Sequence, residues 1–260
     1  MRQTPAQRHQ QRKLSSQANG AAEPGSELQG SAYELMQAQL AEHRRSLKLI
    51  QSVERKIEAK RLFLPVYDAW VDGALASGTG GHDLVLTTVM VWHIDAGNYR
   101  RALDIATYAI AHKLPLPDQY DRNLGTVLID EIGAAALAGK IPLAEALDIL
   151  PDVLWMTEGL DAPDQARAKL HKAMGWALIG KTGPADIDYE AVLRPAARDA
   201  LEHLQRALLL WDQVGCKKDI ERLERRLKKP DEPSVPIPLP DPGTPAAQAA
   251  TEGHQPDVKA

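Results

Sequence analysis

A small group of carboxylates is the clearest sign of chemistry in the sequence. Asp121, Asp130 and Glu131 lie close together along the chain. Several carboxylates around a metal ion are what a nuclease would use, so these three are the candidates for a catalytic site. No His or Cys completes a metal-ligand set with them, and the sequence therefore predicts no metal site and leaves the catalytic residues unknown.

Other reactive residues occur in combinations that do not favour catalysis. Residues 58–60 read Glu-Ala-Lys, a spacing that some nucleases carry on a strand, but here it lies in a charged helical segment. His82 and His93 are too far apart along the chain for one metal ion without ligands from another segment. Cys216 and His203 have no third group to orient the histidine. The sequence thus gives no positive sign of catalysis.

The composition predicts a helical protein. Of 260 residues, 44% are hydrophobic and 25% are charged, and Phe63 is the single phenylalanine. Abundant Ala and Leu with few aromatic residues favours helices over sheets. A single cysteine, Cys216, excludes an internal disulfide. No apolar run approaches the ~18 residues of a membrane span, and the polar N-terminus does not resemble a signal peptide. We therefore expect no membrane partner and a cytoplasmic location.

The charge is distributed unevenly along the chain. The overall net charge is −4, but residues 1–60 carry +4, residues 61–216 carry −8, residues 217–229 carry +4 and residues 230–260 carry −4. Basic segments thus bracket an acidic body. Lys and Arg clusters are the sequence footprint of nucleic-acid binding, so the distribution permits a nucleic-acid partner that the overall pI would hide.

The N-terminal quarter divides into two predicted segments. Residues 1–30 are rich in small polar residues and predict a flexible basic arm. Residues 31–62 have apolar residues at helical spacing between charges of both signs, which predicts one long charged helix beginning at a Ser31–Glu34 capping box. So much charge favours a helix that stands out from the body, as a DNA-binding or oligomerisation element. The alternative is a solvated surface helix.

Residues 63–229 predict a helical body. Asp83 is placed to cap a helix that runs to Ala96, Gly97 makes a turn, and a partner helix follows from Tyr99. Small Ala residues where two helices would touch give this hairpin the pattern of a tetratricopeptide unit. A second, less regular unit is predicted over residues 165–215. Residues 230–260 contain eight prolines and predict a disordered tail. The expected fold class is all-α, with a charged helix, helical hairpins and disordered termini.

Four collinear segments carry a family resemblance. They are residues 4–9 (TPAQRH), residues 61–117 (RLFLPVYDAW to HKLPLP), residues 166–175 (ARAKLHKAMG) and residues 200–228 (ALEHLQRALL to ERRLK). Together they resemble the small terminase subunit, often named the terminase endonuclease subunit, of tailed bacteriophages that package DNA at cohesive-end sites.

The resemblance implies a function and partners. A small terminase subunit recognises viral double-stranded DNA and recruits the large subunit, whose ATPase drives DNA into the procapsid. It implies a homo-oligomer, commonly a ring, in the cytoplasm of the bacterial host. No cofactor is expected in this subunit, whereas Mg²⁺ and ATP are expected for the terminase holoenzyme. The resemblance transfers no catalytic residue.

The DNA-reading element is not evident, because the chain lacks the usual helix-turn-helix signature and its tail is acidic. The candidates for DNA binding are therefore the basic residues of the arm, the charged helix and the last helix. These DNA-binding candidates are Arg2, Arg8, Arg12, Lys13, Arg44, Arg45, Lys48, Lys217, Lys218, Arg222, Arg225 and Arg226.

Three functions stay open at this stage. The first is a DNA-recognition adaptor, in which the basic flanks bind phosphates and the hairpins bind a protein. The second is an endonuclease that cuts the cohesive-end site itself. The third is a tetratricopeptide-like scaffold with no role on DNA, which the basic segments and the resemblance count against.

Overall fold

The chain folds into helices, as predicted. A computed structural model describes residues 3–117 and 122–229, and within these ranges it contains eleven α-helices and no β-strand. Arg2, Asp121 and the predicted tail, residues 230–260, lie outside them. The helices are α1 (Pro5–Ala21), α2 (Ser31–Leu49), α3 (Val53–Phe63), α4 (Asp68–Ser77), α5 (Leu84–Ala96), α6 (Tyr99–Ala111), α7 (Leu124–Leu137), α8 (Leu143–Thr157), α9 (Asp164–Leu178), α10 (Arg194–Leu210) and α11 (Lys217–Lys228).

Helix α1 corrects the prediction of a flexible arm over residues 1–30. Thr4 caps it by accepting from the Gln7 backbone, and the Gln7 side chain accepts from the Thr4 backbone in return. Ser15 and Asn19 are fully buried, and the Ser15 hydroxyl donates to the Trp70 carbonyl of α4 at 2.6 Å. Small polar side chains let the two helices approach closely, so α1 packs without the large apolar residues that the composition lacks.

The predicted charged helix over residues 31–62 is two helices. Ile50 is extended, and the Ser52 side chain caps α3 by accepting from the Arg55 backbone. At the start of α2 the N-cap is Gly30 and makes no side-chain cap, so the predicted Ser31–Glu34 box does not form. The expectation that the whole segment stands out from the body also fails for α2, which buries one face in the core. Its buried residues are Tyr33, Met36, Leu40 and Leu47.

The hairpin predicted around Gly97 is present. Asp83 caps α5 by accepting from the Leu86 backbone at 3.0 Å, and its other oxygen accepts from the Trp70 indole at 2.7 Å. Gly97 ends α5 with φ of 83°, a left-handed conformation that glycine adopts without strain. Helix α6 begins two residues later and packs on α5. The likeness of this hairpin to a tetratricopeptide unit stays a prediction.

In the described part of the chain, buried apolar residues form two clusters. The larger cluster joins α2 and α4–α9, whereas the smaller one joins α9, α10, α11 and the connection between α9 and α10. Helix α9 contributes to both. In the smaller cluster Gly175 of α9 lies against Leu204 of α10. The C-terminal helices thus form a compact end of the body around α9.

In the described part of the chain no helix combines the length and the apolar character that crossing a bilayer requires.

The contact between α1 and α4 gives a first prediction. A Cβ at Gly73 would lie 2.4 Å from the Arg12 carbonyl oxygen and 2.6 Å from the Ser15 Cβ. We expect Gly73→Ala to lower the free energy of unfolding by about 1–3 kcal/mol, because the helices must move apart. Gly20→Ala is the matched control in α1, since a Cβ there meets nothing within 4 Å and alanine favours the helix. Urea denaturation followed by circular dichroism measures both, and equal midpoints for the two variants would show that α1 does not pack as described.

A histidine pair across α9 and α10 gives a second prediction. The Nδ1 atoms of His171 and His203 are 3.1 Å apart. Burial, and then the neighbouring His203, lower the pKa of His171 to about 4, and burial also lowers the pKa of His203. The folded state therefore binds fewer protons than the unfolded state, in which a histidine titrates near ~6.5. The contribution of this histidine pair to the free energy of unfolding should therefore be fully present above that pH and should be lost as the pH falls toward 4.

The measurement is the urea midpoint at several pH values between neutral and the folded pKa of about 4. We expect the His171→Gln/His203→Gln variant to lose less stability than wild type over this window. The exposed His9 supplies the control, His9→Gln, which should keep the wild-type pH dependence. An identical fall in all three proteins would remove the histidine pair as its cause.

Candidate nucleic-acid interface

A basic cleft lies at the C-terminal end of the body. It has a volume of about 650 Å³ and is bounded by α9, the start of α11 and the segments that precede α10 and α11. Five cationic residues line it together with three carboxylates. The cations are Lys172, Lys181, Lys217, Lys218 and Arg222, and the acids are Asp186, Asp212 and Asp219.

The buried carboxylate of Asp219 fixes the floor of the cleft. It accepts from the Trp176 indole and from the Lys181 ammonium, each at 2.9 Å, and from the Tyr189 hydroxyl. Burial disfavours the charged carboxylate, but the hydrogen bonds from Lys181, Tyr189 and Trp176 outweigh it and lower the pKa of Asp219. Asp219 therefore stays ionised and ties α11 to α9 and to the connection that follows α9.

Lys and Arg side chains lie over the aromatic rings of the cleft. The ammonium groups of Lys172 and Lys181 lie 4.6 and 4.3 Å from the Trp176 ring centroid. The Arg222 guanidinium lies 5.2 Å from the Tyr189 ring and pairs with Asp186. Because Trp176 and Tyr189 are also buried, their faces serve packing and cation–π contacts rather than stacking on bases.

Two lysines of the cleft are exposed at its rim. Lys217 and Lys218 are the first two residues of α11 and are solvent-exposed. The N-terminus of a helix carries a partial positive charge that favours anions. Two ammonium groups at this helix end give the cleft a cationic edge of the kind that contacts a phosphate backbone.

The structure brings together only some of the sequence candidates. Lys217, Lys218 and Arg222 meet at the cleft, and sequence reasoning missed Lys172 and Lys181, which join them from α9 and the segment after it. The one local signal was the spacing of Lys172 and Trp176, which are four residues apart on one helical face. Arg225 is exposed farther along α11, and Arg226 donates to the Glu190 carbonyl.

The candidates of α1 line a second cleft of about 420 Å³. Arg8 and Arg12 share it with Asp68, Asp72 and Arg101, and both Arg12 and Arg101 donate to Asp72. Burial raises the pKa of Asp68. The two carboxylates offset two of the three guanidinium charges, so this cleft attracts anions less than its arginine content indicates. Lys13 is exposed elsewhere on α1.

The candidates of α2 are less concentrated. Arg44 is half-buried and lines a small cavity beside Leu84 and Thr88, and Arg45 pairs with Glu42 at 2.6 Å. Lys48 is exposed near the end of α2.

The carboxylates that are candidates for catalysis form ion pairs with Arg and Lys side chains. Arg122 donates to Asp130 at 3.1 Å and to Glu131 at 2.7 Å, and Lys169 also lies against Asp130. Across the two described ranges no group of three or more His, Cys, Asp or Glu residues could hold a metal ion. Asp121, the third carboxylate of the predicted cluster, is outside those ranges.

The other catalytic combinations are also taken up by structural contacts. Lys60 of the Glu-Ala-Lys triplet pairs with Asp95 of α5. His203 faces His171, whereas the Cys216 thiol lies against the Leu204 carbonyl at 3.4 Å. Burial raises the pKa of Cys216, which disfavours the thiolate that a nucleophile needs.

Comparison with known proteins identifies the family. A family model described as phage small terminase subunit matches residues 37–165. The terminase endonuclease subunit of Escherichia phage P2 is 39% identical over 232 residues, which cover 88% of each chain. This chain belongs to the phage small terminase subunit family. No solved structure matches it significantly.

The basic cleft lies outside the part of the chain that the family model matches. The family model ends at residue 165, before the first residue of the cleft, Lys172. The family model therefore covers most of α2 and all of α3–α8, whereas the basic cleft of this small terminase subunit lies C-terminal to it.

The buried carboxylate gives a third prediction. We expect Asp219→Asn to lower the free energy of unfolding by about 3–5 kcal/mol, because Lys181 would be left as a buried charge without its partner. Asp186→Asn, which breaks the exposed pair with Arg222, is the matched control and should have a far smaller effect. Guanidinium denaturation followed by Trp fluorescence measures both. Similar midpoints for the two variants would contradict the structural role of Asp219.

Proposed function

We propose that this small terminase subunit recognises viral double-stranded DNA at the cohesive-end packaging site and recruits the large ATPase subunit. It would do so in the host cytoplasm as a homo-oligomer, in the form of a ring. Family membership supports the role in packaging. The observation that carries the placement of DNA is the basic cleft, where Lys217 and Lys218 stand exposed at the start of α11. Mg²⁺ and ATP would serve the holoenzyme through the large subunit.

The charges of the cleft divide into two roles. Lys181 and Asp219 neutralise each other in the interior, and Arg222 is held by Asp186 and Tyr189. These pairs keep the start of α11 in place. Lys217 and Lys218 are then presented to solvent on a rigid helix end. On binding DNA they would displace counterions from the phosphates, so affinity should depend steeply on salt.

Cleavage by this chain is the second candidate, because the relative from phage P2 is named an endonuclease subunit. The structure gives it little support. Asp130 and Glu131 are paired with Arg122, which would compete with a metal ion for these carboxylates. We therefore propose that the large subunit makes the cut.

The fourth prediction tests the cleft. Purified Lys217→Gln/Lys218→Gln protein should bind both cohesive-end and scrambled DNA more weakly than wild type. The slope of log affinity against log salt should fall by about two, because each lysine that contacts a phosphate contributes about one. Fluorescence anisotropy across a salt series measures both quantities. Lys140→Gln, an exposed lysine between α7 and α8, is the matched control and should keep the wild-type slope.

The same experiment separates the alternatives. An unchanged slope in the α11 variant, with a reduced slope in Lys13→Gln or Lys48→Gln, would move the DNA interface to α1 or α2. DNA nicking by wild type in Mg²⁺, abolished in Asp130→Asn/Glu131→Gln protein that keeps its fold, would make this chain the endonuclease. Absence of DNA binding at moderate salt would leave the scaffold function.

A further inference from the structure

Among the described residues, two exposed apolar surfaces lie outside both the buried clusters and the basic cleft. The first, the junction surface, is formed by Leu49 at the end of α2 and Val53 at the start of α3. These side chains are 85% and 70% exposed. Helix α3 has no fully buried residue, so it lies on the outside of the body. Leu49 and Val53 are four residues apart, on either side of the break between α2 and α3, and exposed large apolar residues grouped on a surface commonly mark a contact with another protein.

The second surface lies on α8. Leu147 and Trp155 are 40% and 76% exposed, and Pro151 lies between them. Because the three residues are spaced by four, they share one face of the helix. The opposite face, which includes Ile149, Leu150 and Val153, is buried in the core. Helix α8 is therefore apolar on two sides, and within residues 3–117 and 122–229 only one of these sides packs against the rest of the chain. We call the exposed side the α8 surface.

The two surfaces carry opposite charge. Residues 44–62, around the junction surface, contain seven Lys and Arg and two Glu, whereas residues 141–166, around the α8 surface, contain six Asp and Glu and no Lys or Arg. Two cations from outside this range lie at α8. Arg100 of α6 pairs with Asp148 and Asp152, and Arg167 of α9 donates to the Thr157 and Leu160 carbonyls, so the excess of acids falls from six to four and the charge around α8 stays negative. Glu158 and Asp161 are exposed at the Trp155 end of α8.

We propose that the α8 surface of one copy packs on the junction surface of a second copy. Each surface offers apolar area at its centre and charge at its rim, the usual arrangement of a protein interface. Pairing the α8 surface with itself would oppose acids to acids, and pairing the junction surface with itself would oppose cations to cations. Trp155 is the expected anchor, since Trp is enriched among the few residues that carry most of the binding energy at interfaces. This inference rests on the homo-oligomer of the proposed function and specifies its contact.

The fifth prediction concerns self-association. In sedimentation velocity across a concentration series, Trp155→Ser should raise the dissociation constant at least about tenfold, as loss of an anchor residue does. Val53→Ser/Arg55→Glu should do the same from the other side of the contact. Leu62→Ser is the matched control, because Leu62 is 78% exposed but lies on the other side of α3 from Val53. It should associate as wild type does.

A mixing experiment tests the pairing itself. Trp155→Ser protein keeps an intact junction surface, and Val53→Ser/Arg55→Glu protein keeps an intact α8 surface. Each should be largely monomeric alone, and an equimolar mixture should form a heterodimer through the one contact that remains. Failure of the mixture to associate, while each variant keeps its helical circular dichroism spectrum, would overturn the pairing.

Other outcomes identify other occupants. A wild-type chain that is monomeric at all concentrations, or a Trp155→Ser variant that oligomerises normally but no longer binds the large subunit, would overturn the proposal. DNA binding is read separately in the same proteins. Lost DNA binding in the Lys217→Gln/Lys218→Gln protein with normal association would leave this inference standing, and monomeric protein that binds DNA would leave the DNA proposal standing.

Discussion

A tryptophan indole donates to a buried carboxylate in each of the two halves of this protein, and the packing of the surrounding helices depends on these bonds. Trp70 bonds to Asp83 where α1, α4 and α5 meet, and Trp176 bonds to Asp219 where α9 and α11 meet. The two carboxylates differ in their surroundings. Burial raises the pKa of Asp83, which receives only neutral donors, whereas Lys181 beside Asp219 helps to lower the pKa of that carboxyl. The first site is a polar cap within a core, and the second is a charged anchor beneath a basic surface.

This difference follows from what each site must position. Asp83 caps α5 and links it to α4, and its environment is closed on all sides. Asp219 lies on the inner side of α11, so its ion pair with Lys181 holds the inner side of that helix while the cations of its outer side face water. A buried pair of this kind costs desolvation, and an apolar pair would often be more stable. The ion pair between Lys181 and Asp219 is therefore better explained by the need to fix the orientation of α11 than by a gain in stability.

The sequence predicts the helices of this protein well where apolar periodicity is strong. The α5–α6 turn at Gly97, the Asp83 cap and the all-α class follow from spacing and capping chemistry. It fails for α1, because the buried residues Ser15, which packs against Gly73 of α4, and Asn19 are small and polar and leave no hydrophobic pattern. It also fails to separate α2 from α3, since the break at Ile50 has no Gly or Pro.

The cleft could be predicted only in part, because some of its residues are brought together by the fold and not by the sequence. Lys217, Lys218 and Arg222 are adjacent in the sequence, and a charge count finds them. Lys172 and Lys181 reach the same place through the fold, and Lys181 ends a helix–turn segment that has no basic neighbours. The reverse error occurs at Asp130 and Glu131, where a carboxylate cluster in the sequence becomes a set of ion pairs once Arg122 and Lys169 are placed beside it.

The separation of Lys181 and Asp219 along the chain has a consequence during synthesis. The two residues are 38 positions apart, and a chain emerges from the ribosome N-terminus first. The larger buried cluster is complete once α9 has emerged, whereas Lys181 has its counter-charge only after α11 has followed. All residues of the larger cluster are therefore available to pack before the basic cleft can form, because the cleft needs Lys217, Lys218 and Asp219 of α11.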